Sequence, residues 1–322
     1  MKIVCIIPSA CTDTTVSYLK NCIRSLRKSA MDQTQLTIVV VSNNPHSRKL
    51  LKETRVDTVY PVDTSFGFSQ SNNKAIEESV KLYDSDYYLF INDDAWVETD
   101  FFRVLQRIIH EKHPDVVIPL MLKNKSNNID SFGVEYFTSG YAKNSIFNDV
   151  KTTLASAGCV CIKTSFLEKI KQTYGFYFNP ILDYYLEDVE LSIRASAIGG
   201  MFVKERLLVA RHQGSVTSGK KSYFSMYHTY RNIIWVIILT WPIPVIVKNL
   251  PKILLVHGWT VLYAAWRFGP LMYVRIYFDT ILNGKALLEY RKKTLSSYPK
   301  SFRFETLFSS YAFRTYKNVT IK

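Results

Sequence analysis

Apolar runs of strand length alternate with helical patterns from Met1 to about Arg211. The predicted strands are Lys2–Ile7, Leu36–Val41, a short one near Thr58–Val62, and Tyr87–Ile91. The predicted helices between them are Ser17–Ser29 and Ser69–Leu82. Because the strands are apolar without interruption, we expect a parallel sheet that helices cover on both faces.

Polar residues follow three of these strands directly. The clusters are Pro8-Ser9, Ser42-Asn43-Asn44 and Asn92-Asp93-Asp94. Ligands of open α/β sheets bind at the carboxyl ends of the strands. The sequence therefore predicts a ligand site at this edge of the sheet.

The pattern changes after about Tyr223. The runs Ile233–Val247 and Ile253–Trp266 are almost free of charge, and each is shorter than the roughly 20 residues that span a bilayer. Prolines, which are expected to interrupt a straight helix, stand at Pro242, Pro244 and Pro251. Interfacial or re-entrant helices at a membrane surface fit these runs, while core helices or a homodimer interface are the alternatives.

The chain has 41 basic and 27 acidic residues, which gives a formal charge of +14. Such an excess suits nucleic acid, anionic lipid or a phosphate-bearing substrate. Basic residues concentrate near the apolar C-terminal part, and no nucleic-acid recognition pattern occurs. An anionic membrane surface is therefore the expected partner, and nucleic acid is not.

Cysteine usage indicates the compartment. The five cysteines form an odd set without paired CxxC motifs: Cys5, Cys11, Cys22, Cys159 and Cys161. We expect reduced core thiols of a cytosolic protein and no zinc site. The apolar run at the N-terminus stops at Pro8 and is better interpreted as a buried strand than as a signal peptide.

Two acidic segments and a histidine carry candidate chemistry. Asn92-Asp93-Asp94 presents adjacent acids and an amide, oxygen ligands that suit Mg²⁺ or Mn²⁺ shared with substrate phosphates; a solvated turn with a helix cap is the alternative. Glu187 and Asp188 open a helical stretch, where they either complement the helix dipole or include a general base. A neutral His212 could complete the carboxylate site for Mn²⁺.

Eight segments in a fixed order carry a family resemblance. They are Ile6-Ile7-Pro8, Val41-Ser42-Asn43-Asn44, Phe66–Asn73, Asn92-Asp93-Asp94, Ala157-Gly158-Cys159, Leu186–Leu191, His212-Gln213-Gly214-Ser215 and Tyr230-Arg231-Asn232. In this order and spacing they resemble the inverting GT-A glycosyltransferases of family 2, particularly the rhamnosyltransferase-like enzymes of bacterial surface-polysaccharide synthesis. The resemblance runs from Lys2 to about Asn232.

The resemblance implies an α/β fold of the GT-A type, a Rossmann-like mixed sheet flanked by helices, over residues 1–222. Residues 223–322 would form a helical, membrane-associating region. The implied activity is transfer of a sugar from a nucleotide-diphosphate sugar to a hydroxyl of a lipid-linked glycan in O-antigen or capsule synthesis. The protein would be peripheral, on the cytoplasmic face of the inner membrane.

The resemblance also implies a role for each matching residue. Asp94 would bind Mn²⁺ or Mg²⁺, with His212 as a second ligand. Asp188 would be the catalytic base with Glu187 beside it, and Gly158 would lie at the acceptor site. The nucleotide-sugar pocket would be lined by Pro8, Ser9, Ser42, Asn43, Gly67, Asn73, Asn92 and Asp93.

Two departures from the family pattern bear on the nucleotide. Ser42 stands where the family usually has an acid, and Ser65 stands where it has an asparagine. A nucleotidyltransferase or hydrolase acting on nucleotide-linked substrates is an alternative, but neither a Gly-rich phosphate loop nor a nucleophile elbow is present. A non-catalytic relative is another, and the retained Asp94, Asp188 and His212 argue against it.

Overall fold

The computed structural model describes residues 1–146, 154–214 and 222–309. The strands are β1 (Lys2–Pro8), β2 (Gln35–Ser42), β3 (Thr58–Pro61), β4 (Tyr87–Ile91), β5 (Ala95–Val97), β6 (Val116–Lys123), β7 (Ile129–Ser131), β8 (Val134–Tyr136), β9 (Ala142–Asn144), β10 (Cys159–Lys163) and β11 (Phe202–His212). The helices are α1 (Val16–Ser29), α2 (Ser47–Leu50), α3 (Phe68–Leu82), α4 (Phe101–Lys112), α5 (Thr164–Tyr174), α6 (Glu187–Ala197), α7 (Tyr223–Thr240), α8 (Ile243–Phe268), α9 (Leu271–Leu282) and α10 (Gly284–Ser296), followed by a 3₁₀ turn at Phe304–Leu307.

One mixed sheet organises the first two thirds of the chain. Its strand order is β3-β2-β1-β4-β10-β6-β11-β5, and β7 pairs with β6 outside this path. The first four strands are parallel, as predicted. β10 then enters antiparallel to both of its neighbours, β4 and β6. The mixed, helix-flanked sheet implied by the GT-A resemblance is therefore confirmed.

Alternating side chains of the strands pack on both faces of this sheet. In β1, Cys5 faces a core cluster with Leu19 of α1 and Phe102 of α4. The next residue, Ile6, faces a second cluster with Ile76 of α3 and Leu167 of α5. Because both faces are covered, the strands are apolar throughout rather than alternating.

The C-terminal helices differ from the prediction in one respect. α8 continues for 26 residues with Pro251 inside it, so the expectation that Pro251 interrupts a straight helix is wrong. The helical conformation is interrupted instead between α7 and α8, where Pro242 caps α8 and Pro244 lies in its first turn. Those positions have no helical hydrogen bond for a proline to remove, whereas Pro251 removes one such bond inside α8 and crowds the preceding turn.

α7 and α8 also differ in burial. Trp235 and Leu239 of α7 are buried in a core cluster that includes Leu182 and Val189. α8 is the one helix among the described residues that is long and apolar enough to cross a membrane, a criterion of length and composition only. Its most apolar window is 17% buried, so most of its apolar surface faces outward.

A buried ion pair ties α6 to the segment before it. Arg194 and Glu190, both fully buried, approach to 2.8 Å one helical turn apart. Arg194 also donates to the carbonyl of Tyr177 at 2.6 Å, and Asn179 donates to Glu190 at 3.1 Å. The third acid of the Glu187-Asp188-Val189-Glu190 segment therefore has a structural partner.

All five cysteines are buried and none forms a disulfide. Burial raises the pKa of each thiol, including Cys11 at the end of β1. A thiol must ionise to react. These cysteines are therefore packing residues of low reactivity.

Candidate active site

A cavity of about 800 Å³ lies at the carboxyl ends of β1, β2 and β4. It gathers most of the sequence-predicted site residues from seven different segments of the chain. Those that line it are Pro8, Ser9, Asn43, Gly67, Asn92, Asp93, Asp94, Gly158, Glu187, Asp188 and His212.

Two predicted residues are not among the described residues that line the cavity. Ser42 is buried, and its Oγ accepts the amide hydrogen of Asn44 at 3.2 Å. Asn73 makes two 2.8 Å hydrogen bonds with the backbone of Phe178, donating to its carbonyl and accepting from its amide. Both side chains hold loops next to the cavity. Ser215, the last residue of the histidine segment, lies outside the described residues.

Sheet register brings Asp94 and His212 together. His212 ends β11 and pairs with Ala95, the residue after Asp94, in the antiparallel contact with β5. The Gln213 amide then donates to the Asp94 carbonyl at 2.9 Å. As a result, His212 Nε2 lies 3.1 Å from Asp94 Oδ1. Asp93 instead accepts a 2.6 Å hydrogen bond from Ser9 Oγ.

Asp130 is a site residue that sequence reasoning missed. Its Oδ2 lies 2.8 Å from His212 Nδ1, so the imidazole sits between two carboxylates. Asp130 belongs to the short strand β7, which pairs with the end of β6 beside β11. A lone aspartate in a polar stretch carries no sequence signal, because its position follows from the pairing of three strands.

Burial and charge act in opposite directions on His212. Burial lowers the pKa of the imidazole, but hydrogen bonds to Asp130 and Asp94, together with their negative charges, raise it overall to about 9. Burial raises the pKa of Asp93 to about 6, and the charge of Asp94 adds to the rise against the hydrogen bond from Ser9. The site therefore concentrates negative charge that a cation stabilises.

These residues fit a hard divalent cation in part. Asp94 offers a carboxylate on the cavity wall, and His212 beside it offers an imidazole nitrogen once a bound cation has displaced its proton. No cluster of three or more His, Cys, Asp or Glu side chains placed to hold a metal ion occurs among the described residues. Mg²⁺ and Mn²⁺ sites commonly use one or two protein ligands and complete their shell with water and substrate phosphates. Asp130 would fix the imidazole orientation, as outer carboxylates do in metal sites.

Glu187 and Asp188 stand at the first turn of α6. Asp188 Oδ2 accepts the Ala157 amide hydrogen at 3.0 Å, and its Oδ1 accepts the Val189 amide hydrogen at 2.8 Å. Glu187 Oε2 is buried and has no hydrogen-bond partner among the described residues. Burial raises the pKa of both carboxyls, and the charge of Asp188 raises that of Glu187 further. A buried carboxylate of raised pKa is suited to take a proton.

The Ala157-Gly158 segment joins the two carboxylate groups. Ala157 donates to Asp188, and the Gly158 carbonyl accepts the Asn92 amide hydrogen at 3.1 Å. Gly158 immediately precedes β10, whose antiparallel pairing with β4 places it beside Asn92. The segment therefore spans from the end of β4 to the start of α6.

Aromatic residues form the remaining wall of the cavity and were also missed. Tyr184 and Phe224 both line it, and their rings meet edge to face at 5.2 Å between centroids. Lys143 and Asn144 of the β8–β9 hairpin lie on the wall as well. No pattern in the sequence predicts that α7 and the β8–β9 hairpin lie at the cavity wall.

Gly67 is required by a close backbone approach. A Cβ at this position would lie 2.7 Å from the carbonyl oxygen of Asp183, which accepts the Phe68 amide hydrogen at 2.7 Å. This contact docks the segment before α6 onto the start of α3.

Gly67→Ala is expected to destabilise the fold by about 1–3 kcal/mol, the usual cost of inserting a methyl group into a filled space. The measurement is denaturant unfolding, with Gly258→Ala as the matched control. A Cβ at Gly258 in α8 meets nothing within 4 Å, and alanine is the better helix former there by about 1 kcal/mol. Equal stability of the two variants would contradict the crowding at Gly67.

Three solved structures illustrate the similarity of fold. S. aureus TarS residues 1–349 align with a TM-score of 0.55 at 16% identity, covering 96% of this chain and 83% of that one. GalNAc-T7 with UDP, GalNAc and Mn²⁺ gives 0.59 at 16% identity, covering 76% of this chain and 48% of that one. Mannosyltransferase PcManGT from Pyrobaculum calidifontis, in complex with GDP-Man and Mn²⁺, gives 0.52 at 8% identity, covering 92% and 85%. At these identities the likeness establishes the fold.

Comparison with curated proteins gave no match. The family model described as Glycosyl transferase family 2 matches residues 6–171 of the 322. That range holds the end of β1, the strands β2 to β4, the Asn92-Asp93-Asp94 segment and the Ala157-Gly158 segment, which supply much of the cavity wall. The chain therefore belongs to glycosyl transferase family 2, and it is a glycosyltransferase of the GT-A fold.

Proposed function

We propose that this chain is an inverting, metal-dependent glycosyltransferase that moves a sugar from a nucleotide-diphosphate sugar to a glycan hydroxyl. One observation carries the proposal. A single cavity presents the Asp94–His212 pair and the Glu187–Asp188 pair together. The first pair suits a diphosphate with its cation, and the second suits a reacting hydroxyl. The neighbours solved with UDP or GDP-Man and Mn²⁺ support the same class of donor.

In this proposal Asp94 and His212 are the residues that would hold Mn²⁺ or Mg²⁺. The bound ion would neutralise charge on the departing nucleoside diphosphate. Pro8, Ser9 and Asn43, at the ends of β1 and β2, line the nucleotide side. Ser42 and Ser65 depart from the family pattern, so binding measurements are needed to define the contacts with the base and the ribose.

Asp188 is proposed as the base. Its carboxylate is fixed by the amides of Ala157 and Val189, and it takes the proton of the acceptor hydroxyl while the oxygen attacks the anomeric carbon. The bond to the diphosphate breaks as the new glycosidic bond forms. A single displacement of this kind inverts the anomeric centre.

A thermal-shift screen of UDP-, dTDP- and GDP-sugars with and without Mn²⁺ tests the donor. A nucleotide sugar that stabilises the fold only with metal would support the site and name the donor class. Release of nucleoside diphosphate with transfer of labelled sugar identifies the glycosyltransferase. Release of nucleoside monophosphate or pyrophosphate would favour the nucleotidyltransferase or hydrolase alternative. Donor binding without turnover would favour the non-catalytic one.

The acceptor proposed here is a lipid-linked glycan, met on the cytoplasmic face of the inner membrane during O-antigen or capsule synthesis. α8 and α9 present a wide outward apolar face, on which Trp259 is 69% and Trp266 80% exposed. Residues 243–296 carry eight Lys or Arg side chains against two acidic ones. Exposed tryptophans with basic residues are typical of interfacial helices on anionic lipid.

This apolar face reaches the rim of the cavity. Phe268, the last residue of α8, meets the ring of Tyr223 at 5.8 Å between centroids. The adjacent Phe224 lines the cavity beside Tyr184. An acceptor whose lipid lies in the bilayer would therefore present its sugar at the aromatic wall.

Substitution of Leu255 and Leu262 together by glutamate is expected to abolish binding to phosphatidylglycerol-containing vesicles. Both side chains are exposed on α8, so the fold is preserved. Each buried leucine is worth about 1.5–3 kcal/mol, or at least about tenfold in affinity. Co-sedimentation with the vesicles measures the loss of binding. The control is Leu207→Glu, which changes an exposed leucine of β11.

Two outcomes would contradict membrane binding. If the double variant sediments with the vesicles as the wild type does, the apolar face of α8 is not the membrane-binding surface. A change from dimer to monomer in light scattering, without any wild-type vesicle binding, would assign the face to a homodimer. Deleting the chain from Ile233 is a poorer test, because it would expose the buried core of α7.

A further inference from the structure

The turn before the catalytic pair has an unusual backbone. Tyr185 has a φ of 66° and Leu186 a φ of 64°, so two consecutive residues other than glycine are left-handed. L-residues with bulky side chains rarely adopt this conformation, and it persists only when surrounding contacts impose it. Leu186 is followed at once by Glu187 and Asp188 at the start of α6. The geometry of the turn therefore sets the direction of both carboxylates.

Asn232 in α7 holds this turn. Its side chain is fully buried, and its Nδ2 donates to the carbonyls of Tyr184 and Tyr185, each at 2.8 Å. Its Oδ1 accepts a hydrogen bond from Arg231 Nε at 2.9 Å. A primary amide provides two donors on one nitrogen, which is the group needed to bridge neighbouring carbonyls.

Arg231 contacts the other end of the same segment. Its guanidinium lies 4.1 Å from the ring centroid of Trp235, and one of its terminal nitrogens lies 3.8 Å from Asp183 Oδ2. The Asp183 carbonyl in turn binds the first residues of α3. The segment from Asp183 to Leu186 is therefore fixed between α3 on the donor side and α7.

We propose that Asn232 is a positioning residue for sugar transfer. By bridging the two carbonyls it keeps the turn in the form that aims Glu187 and Asp188 into the cavity. This inference rests on the proposed function for its kinetic consequence. An apolar side chain would be enough to fill this buried position. Asn232 instead donates both amide hydrogens to carbonyls of the turn.

Asn232→Leu tests the proposal, since leucine keeps the branched shape of the side chain and removes both donors. We expect kcat to fall about 10²-fold, because a small misplacement of reacting groups has an effect of this size. The donor Kd in the presence of Mn²⁺ should be unchanged. The matched control is Asn249→Leu. Asn249 is also buried, and its Nδ2 donates to the Val245 carbonyl within α8 at 2.9 Å. Equal kcat values for the two variants would overturn the proposal.

Two further measurements keep the test decisive. If Asn232→Leu does not fold, Asn232→Gln retains the amide and should keep more activity than Asn232→Ser; the reverse order counts against the bridge. Amide hydrogen exchange from Tyr184 to Asp188 gives a readout without turnover. It should be faster in Asn232→Leu than in Asn249→Leu. If the wild type transfers no sugar, the proposed function fails, and equal exchange rates would separately refute the role of Asn232.

Discussion

Replacing Asp188 with asparagine is expected to lower kcat by roughly 10²- to 10⁴-fold, the contribution of a positioned general base. Asparagine keeps the shape of the side chain, and its one oxygen can still accept the Ala157 amide hydrogen, while the hydrogen bond from the Val189 amide is lost. It cannot take the acceptor proton. Initial rates of sugar transfer measure the loss, and calorimetry should show an unchanged donor Kd in the presence of Mn²⁺.

Glu187 is the competitor for this role and provides the comparison. Its Oε2 has no hydrogen-bond partner among the described residues, whereas both Asp188 oxygens accept backbone hydrogens. Glu187→Gln is expected to reduce kcat less than Asp188→Asn. A larger loss in Glu187→Gln would transfer the base to Glu187. Wild-type rates in both variants would refute a carboxylate base at this turn.

The pH dependence of kcat follows from the raised pKa of these carboxyls. A base acts only when it is deprotonated, so activity is lost as pH falls through its pKa. Burial raises the pKa of Glu187 and Asp188. The acid limb of the pH–rate profile should therefore lie above the ordinary carboxyl range near about 4. An acid limb within that ordinary range would argue against a buried base.

Asp94→Ala is expected to abolish metal-dependent donor binding. The variant removes the carboxylate that faces His212 across 3.1 Å and leaves one predicted protein ligand. Altering only the outer partners of metal ligands costs about 10- to 100-fold in affinity, so loss of a ligand should cost at least about 100-fold. Calorimetry of the nucleotide sugar with and without Mn²⁺ should give equal, weak affinities in the variant.

Asp100→Ala is the control for this substitution. Asp100 lies at the start of α4 in the same segment, and its ion pair within the described part of the chain is with Arg103 at 3.3 Å on the surface. Its removal should leave metal-dependent binding unchanged. If Asp94→Ala retains the full Mn²⁺ effect, the cation is bound elsewhere or is not used.

The first half of the fold could be predicted because its signals are local. The predicted bounds agree with the observed ones to within one residue for five elements, since each has an apolar run or a helical period of its own. These elements are β1, β2, β4, α1 and α3. β10 could not be placed in the same way. Its position between β4 and β6, antiparallel to both, depends on pairing residues such as Cys159 and Ile91 that are far apart in the chain.

The candidate site divides along the same line. Residues that directly follow strands, such as Asp94, were predicted, because the carboxyl ends of parallel strands form one edge. Asp130 and Asn232 were not given roles, because each contacts its partner through tertiary packing. Asn73 matched a family motif, yet its side chain holds the Phe178 backbone rather than lining the cavity. A motif match therefore locates a segment but does not state which way each side chain points.

The burial of all five cysteines gives the native chain a practical property. Alkylating reagents attack thiolates, and each of these thiols is both shielded and poorly ionised. The folded protein should therefore stay nearly unlabelled by maleimide probes. A single cysteine introduced at Trp259 or Trp266 would carry a fluorophore alone, and its emission would report directly on whether that helix enters lipid during catalysis.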